Sequence, residues 1–268
     1  MSRIPGLSIA AAVLLLSGAA AAQNKITYSY GFGVEAHRQE YREPSLDVTE
    51  KGWFGGVTGD AIAALGLWQL RVDGRLAYGM MSYSGSGTED GIDDFVFEGR
   101  VMIGRAIPLG PGGNRITPYF GYGYRLLSDY LGGHTTSTGA AGYDRMSQYH
   151  YLPIGIEGGF RLNQSWAVKP TVEYDWLIRG TQDSYLSQAV GGFGDLHNTQ
   201  DSGWGLRGAI MFQTMTGGTA IEFGPFVRYW NIEQSDTKPV TFQGVTVGGG
   251  FEPANHTIEA GTALKILF

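Results

Sequence analysis

The 268-residue sequence contains no cysteine. That removes disulfide frameworks, thiol nucleophiles and thiolate metal sites, and with them a lipid carried on an N-terminal cysteine. Charge is sparse. Asp, Glu, Lys and Arg make up 16% of residues, and 19 Lys+Arg against 25 Asp+Glu leave a net charge of −6. An acidic balance argues against gripping a phosphate backbone, so no nucleic-acid partner is expected. Histidine is scattered over His37, His134, His150, His197 and His256. None of these has H-x-x-x-H or H-E-x-x-H spacing, so no metal centre is expected. Glu89-Asp90-Gly91-Ile92-Asp93-Asp94 lacks the full calcium-loop set. Pro108-Leu109-Gly110-Pro111-Gly112-Gly113 lacks the Gly-Lys-Ser/Thr ending of a phosphate loop. No cofactor is implied.

Long apolar runs are missing too, except at the start. Arg3 precedes Leu7–Leu16, an apolar stretch, and Ala20-Ala21-Ala22 precede Gln23. A positive end, an apolar run and small residues at a cut site describe a secretory signal peptide over residues 1–22. After it no segment is apolar for the 18 or so residues of a spanning helix. The remaining 23–268 is expected to be one β domain.

What the sequence does have is glycine (43 residues), tyrosine (15), phenylalanine (13) and tryptophan (6), set in a two-residue alternation. In Trp166–Arg179, Trp166, Val168, Pro170, Val172, Tyr174, Trp176 and Ile178 take one side. Lys169, Glu173, Asp175 and Arg179 take the other. A period of two puts these sets on opposite faces of a strand. The same pattern runs through segments beginning near Ile26, Trp68, Phe95, Ile116, Leu152, Trp204, Ile221 and Ile258. A tenth segment, Trp53–Ala64, is rich in Gly and Ala and weakly patterned. It is counted because an even number of strands brings both termini to one side.

A β-sandwich alternates as well. These runs, however, reach the 9–11 residues that cross a membrane at a tilt, and their apolar face is too continuous for one small core. Short links near residues 64–67, 108–115, 162–165 and 215–218 alternate with long ones near 44–52, 84–94, 129–147, 180–202 and 233–256. Short turns on one side and long loops on the other mark an outer-membrane barrel. The fold expected is an all-β, transmembrane, antiparallel up-and-down barrel of about ten strands. Tyr30, Phe32, Trp53, Tyr83, Tyr149, Tyr151, Trp166, Trp176, Trp204, Tyr229 and Trp230 are expected to form its interfacial girdles.

The final stretch, Thr257 to Phe268, alternates and ends in phenylalanine. It resembles the C-terminal strand of Gram-negative outer-membrane barrels, which implies recognition of Phe268 by the barrel-assembly machinery. The resemblance also implies outer-membrane lipids and lipopolysaccharide as surroundings. Stretches such as Tyr174–Gly180 and Pro225–Trp230 resemble those of ten-strand outer-membrane proteins with no implied activity.

The ten-strand count is also that of the omptins, whose site sets two aspartates against an Asp-His couple across the barrel mouth. Asp90, Asp93 and Asp94 in one long link and Asp195-Leu196-His197 in another are the residues that such a site would use. Against this, Arg179–Tyr185 has no histidine where the couple would sit. A Ser147–His150 pair, with His150 read on the polar face, suggests a lipid deacylase, but no G-x-S-x-G is present. No enzymatic activity is expected.

The inward-facing charges are the more informative set: Arg71, Asp73, Arg75, Glu98, Arg100, Arg125, Glu157, Arg161, Lys169, Glu173, Asp175, Arg179, Arg207, Glu222, Arg228, Glu259 and Lys265. Each Arg or Lys facing lipid at mid-membrane costs about 2–4 kcal/mol, so these residues are expected to point into the lumen. A ten-strand lumen is little wider than one filled by side chains. They are therefore expected to pair across it as a plug, or else to line a narrow polar pathway.

Overall fold

A computed structural model describes residues 25–216 and 219–268. The signal-peptide reading of residues 1–22 lies outside the described residues. In chain order the elements are β1 (Thr27–Glu43), β2 (Val48–Leu65), β3 (Trp68–Ser84), β4 (Thr88–Arg105), β5 (Ile107–Pro108), β6 (Arg115–Tyr130), β7 (Arg145–Arg161) and β8 (Trp166–Ser184). They continue with α1 (Leu186–Ala189), β9 (Leu196–Gln200), β10 (Gly203–Thr216), β11 (Thr219–Ile232), β12 (Lys238–Phe242), β13 (Val245–Gly250) and β14 (Asn255–Leu267). Ten of these, β1, β2, β3, β4, β6, β7, β8, β10, β11 and β14, pair antiparallel in sequence order, and β14 returns to β1. Closure leaves no free strand edge, the condition under which a sheet crosses hydrocarbon. The glycine-rich segment is a full strand, because its neighbours β1 and β3 pair with it along its length.

Outward residues are apolar over a band and then turn polar. On β1, Tyr28, Tyr30, Phe32 and Val34 are exposed, and beyond them Arg38 and Arg42 are exposed too. A strand of 17 residues is nearly twice as long as the 9–11 residues needed to cross a membrane, so the walls continue past the membrane on the long-loop side. Two expected long loops are therefore wall instead. Residues 44–47 alone join β1 to β2, and 85–87 alone join β3 to β4. The remaining three links fold over that mouth, with β9 paired to β8 and β12 paired to β13.

Four girdle aromatics belong elsewhere. Tyr149, Tyr151 and Trp230 are buried inside the lumen, where they pack with Leu177 and Ile232. Tyr83 packs on a second internal cluster of Phe54, Ala77, Met81, Ile92, Val96 and Leu131. Each of the four alternates with an outward neighbour and so falls on the inner face. Tyr30, Phe32, Trp53, Trp166 and Trp176 do face outward.

Tyr151 on β7 lies across β6 to reach Glu98 on β4, and Gly123 leaves the gap it needs. A Cβ on Gly123 would stand 2.2 Å from the Tyr151 ring. Gly123→Ala is expected to displace Tyr151 and destabilise the barrel by about 1–3 kcal/mol, the usual range for overpacking. Gly59→Ala, whose added carbon meets nothing nearer than 3.8 Å, serves as the control. Thermal midpoints of the two folded variants check this, and equal midpoints would show that the gap is not needed.

Candidate functional site

The lumen is organised in tiers, each placed by strand parity. The central tier is one continuous network of arginines and carboxylates. Arg75 on β3 bonds Glu35 at 3.0 Å, Glu98 at 3.0 Å and Glu259 at 2.9 Å. Arg228 on β11 reaches Glu35 at 2.9 Å and Glu259 at 3.0 Å. Arg125 on β6 bonds Glu259 at 3.1 Å. Arg207 on β10 bonds Glu98, Glu173 and Asp175, and Arg100 on β4 bonds Asp73 and Glu173, each at 2.7 Å. Tyr151 donates to Glu98 at 2.6 Å and Tyr119 to Glu173 at 2.7 Å. Every barrel strand except β2 contributes a side chain to this tier.

Aromatic rings lie against the arginines. The Arg207 guanidinium sits 5.4 Å from the Tyr151 ring and 5.8 Å from Trp230, and Arg125 sits 5.6 Å from Trp230. Such cation–π contacts strengthen when desolvated. Ions and rings are buried together in the middle of the lumen.

Toward the short-turn end the network gives way to separate pairs: Arg71–Glu157 at 2.9 Å, Lys169–Glu222 at 2.7 Å and Lys265–Asp60 at 2.9 Å. Together with the ions of the central tier they line a cavity of about 510 Å³. Phe268 itself is exposed, and its backbone exchanges hydrogen bonds with Tyr30, sealing the last strand onto the first.

Fifteen of the seventeen inward charges named from the sequence thus meet a partner inside the barrel. Two differ. Arg179 is exposed on the outer wall: His150 pairs with Arg179 and Tyr151 with Leu177, leaving Ile178 as an extra residue. This bulge reverses the alternation above it, as an inserted residue must. Arg161 keeps its inward parity but lies exposed at the short-turn rim. His150, read as inward, lies on the outer wall, where it meets the Tyr122 hydroxyl at 2.5 Å.

At the opposite mouth lies a group that sequence reasoning missed. Arg145, at the start of β7, is within 4.0 Å of four carboxylates: Glu43, Glu50, Asp129 and Glu252. The Tyr41 hydroxyl lies 2.8 Å from Glu43 and 3.0 Å from Glu252, and its single proton serves one of them at a time. Among the described residues no other cation pairs with these four acids. Extending the inner-face alternation of β1 beyond Glu35 would have found Glu43. Glu252 lies in a loop and carried no such signal.

This group stands above the apolar band, beside the outward charges Arg42 and Lys51. Burial pushes the Glu50 carboxyl up to about 8 and Glu252 up to about 7, with the neighbouring acids adding to the rise and Arg145 opposing it.

The residues of an omptin-like site are not brought together. Asp93 accepts the Tyr78 hydroxyl on the outer wall, and Asp195 accepts the Ser187 backbone N–H. His197 pairs with Asp183, not with Asp195. Asp183 occupies an outward position of β8, between the buried Gln182 and Ser184. Among the described residues no group of three or more His, Asp or Glu is arranged to hold a metal.

No protein-family model matches the chain. No curated protein matches it either. Solved structures do. The chain resembles the outer-membrane protease OmpT from Escherichia coli with a TM-score of 0.58 at 12% identity, over 91% of this chain and 96% of that one. The translocator domain of autotransporter NalP from Neisseria meningitidis gives 0.41 at 12% identity, over 90% and 89%. Neisserial surface protein A gives 0.30 at 12%, over 89% and 96%. The fold is that of the Gram-negative outer-membrane β-barrels, in the ten-strand form. At this identity the likeness to OmpT speaks for the fold alone.

The acid-rich mouth generates a pH dependence. Between about pH 4.5 and 8 the folded Glu50 and Glu252 hold protons that unfolded carboxylates have released. Stability therefore falls as pH rises through that window. The thermal midpoint is expected to be higher at about pH 5 than at about pH 9, and Glu50→Gln is expected to shrink the difference. Midpoints that do not change with pH would contradict the assignment.

Proposed function

We propose that the protein is an integral outer-membrane barrel whose lumen is plugged by its own side chains, with a structural or surface-binding role carried by its outward loops. The observation behind this reading is the central tier, in which five arginines and six carboxylates pair with one another inside the bore beneath Trp230. No enzymatic activity is proposed, because Asp90, Asp93 and His197 face outward, Asp195 lies in a loop and Asp94 is buried inside the barrel. The exposed Arg38, Arg42, Lys51 and Arg179 on the outer surface suit contact with lipopolysaccharide phosphates. Export with removal of residues 1–22 belongs to the same proposal.

A narrow channel for small solutes is the second reading, favoured by the cavity of about 510 Å³ that occupies the short-turn half of the lumen. Conductance in a planar bilayer separates the two. Glu173 accepts bonds from Arg100 and Tyr119, so Glu173→Gln leaves a buried arginine short of its counter-charge. It is expected to cost about 3–5 kcal/mol and to raise single-channel conductance above a very low wild-type value. If the wild type already conducts like an open porin and Glu173→Gln alters only ion selectivity, the channel reading replaces the plug.

Phe268 is proposed as the assembly signal. Phe268→Ala is expected to reduce the membrane-inserted, heat-resistant band on a gel, and unchanged insertion would make the terminal aromatic incidental.

A further inference from the structure

Every inward Arg or Lys described above has a carboxylate within 4.0 Å, with two exceptions at the short-turn rim. Arg115 begins β6 and Arg161 ends β7. Among the described residues no Asp or Glu pairs with either one. Residues 1–24 and 217–218 contain no Asp or Glu.

Glycines arrange these two arginines. Arg115 pairs with Gly159, and its Cγ, Nε and Cζ lie 3.3, 3.5 and 3.6 Å from where a Cβ on that glycine would stand. Arg161 lies in the same manner over Gly113, with Nε at 3.5 Å and Cζ at 3.8 Å. Arg115 is thus flattened on a glycine of β7 and Arg161 on a glycine of the turn before β6, and the two guanidinium groups share one rim. Like charges on neighbouring strands repel unless something neutralises them.

Between the two short turns is a recess of about 290 Å³. Its lining includes Arg115, Arg161 and Lys169, the polar side chains Asn163 and Gln213, and no carboxylate. The nearby acids are already engaged, Glu157 by Arg71 and Glu222 by Lys169. Counting Lys169 as neutralised leaves two uncompensated positive charges, which match a phosphate better than a single carboxylate. Arginine's planar fork also fits phosphate oxygens in pairs.

We propose that this recess is a phosphate-binding site entered from the periplasmic side. It exists whether or not the lumen conducts. A free phosphorylated solute and the headgroup of an inner-leaflet phospholipid carry the same chemistry, so the test uses one probe for each. The protein, purified from membranes in neutral detergent, is titrated calorimetrically with inorganic phosphate and separately with short-chain phosphatidylglycerol.

Saturable binding is expected to weaken about tenfold with Arg115→Gln or Arg161→Gln, the scale of a lost charged hydrogen bond, and to vanish in the double variant. Both arginines are exposed, so the folded band on a gel is expected to persist. Lys238→Gln, in the hairpin at the other mouth where Lys238 pairs with Asp236, is expected to bind like the wild type. A response to inorganic phosphate that is lost in the double variant supports the site with a soluble ligand. A response to the lipid alone, lost in the same way, supports it with a headgroup. No binding of either probe, or isotherms that the double variant leaves unchanged, overturns it.

Discussion

Charge confined in a narrow bore is the constraint on which the rest of this barrel depends. Ten strands enclose too little space for each inward ion to keep its own water, and a lone buried charge is costly. Arginine resolves this because one planar fork serves several acceptors at once. Arg75 joins carboxylates from β1, β4 and β14, and Glu259 in turn takes Arg75, Arg125 and Arg228. The network works as a set of crossbars between distant parts of the wall. Glycines such as Gly123 supply the space that large side chains need to reach across.

Charge balance changes along the axis. The centre is nearly neutral, with arginines and carboxylates interleaved. The outer mouth is acidic, since Arg145 faces Glu43, Glu50, Asp129 and Glu252 without help from another cation. The short-turn rim is basic, since among the described residues no acid forms an ion pair with Arg115 or Arg161, and the nearest, Glu157, is taken by Arg71. Both ends therefore hold uncompensated charge next to solvent, where protons or small ions from outside can offset it at lower cost than in the interior. The two mouths differ in kind. One responds to proton concentration, and the other invites an anion.

The resemblance to OmpT is one of barrel shape, over 91% of this chain and 96% of that one. Yet Asp93 is engaged by Tyr78, Asp195 holds a turn, and His197 couples to Asp183 on the outside of the wall. A barrel wall is a scaffold on which loops and inner faces vary independently, so function has to be argued from the residues lining the site.

The alternation from Trp166 to Ile178, repeated along the chain, made the strands, their number and their inner faces legible from sequence, because a two-residue period is local to each strand. For Trp230, Tyr149 and Tyr151 residue type outweighed the alternation of their neighbours. Their aromatic character suggested a girdle, but inside the barrel they cap an ionic network. Three things were not legible. The extra residue at Ile178 sends Arg179 outward, and only the pairing of β8 with β7 reveals it. The walls run on through residues 48–52 and 88–94, where neighbouring strands supply hydrogen bonds to segments that read as loop. Finally, the meeting of Arg75 with Glu259, or of Arg145 with Glu252, joins residues far apart in the chain. Sequence determined which side chains enter the lumen. Closure of the barrel alone decided which of them touch, because the partner across a bore is set by strand stagger and circumference, which no local pattern encodes.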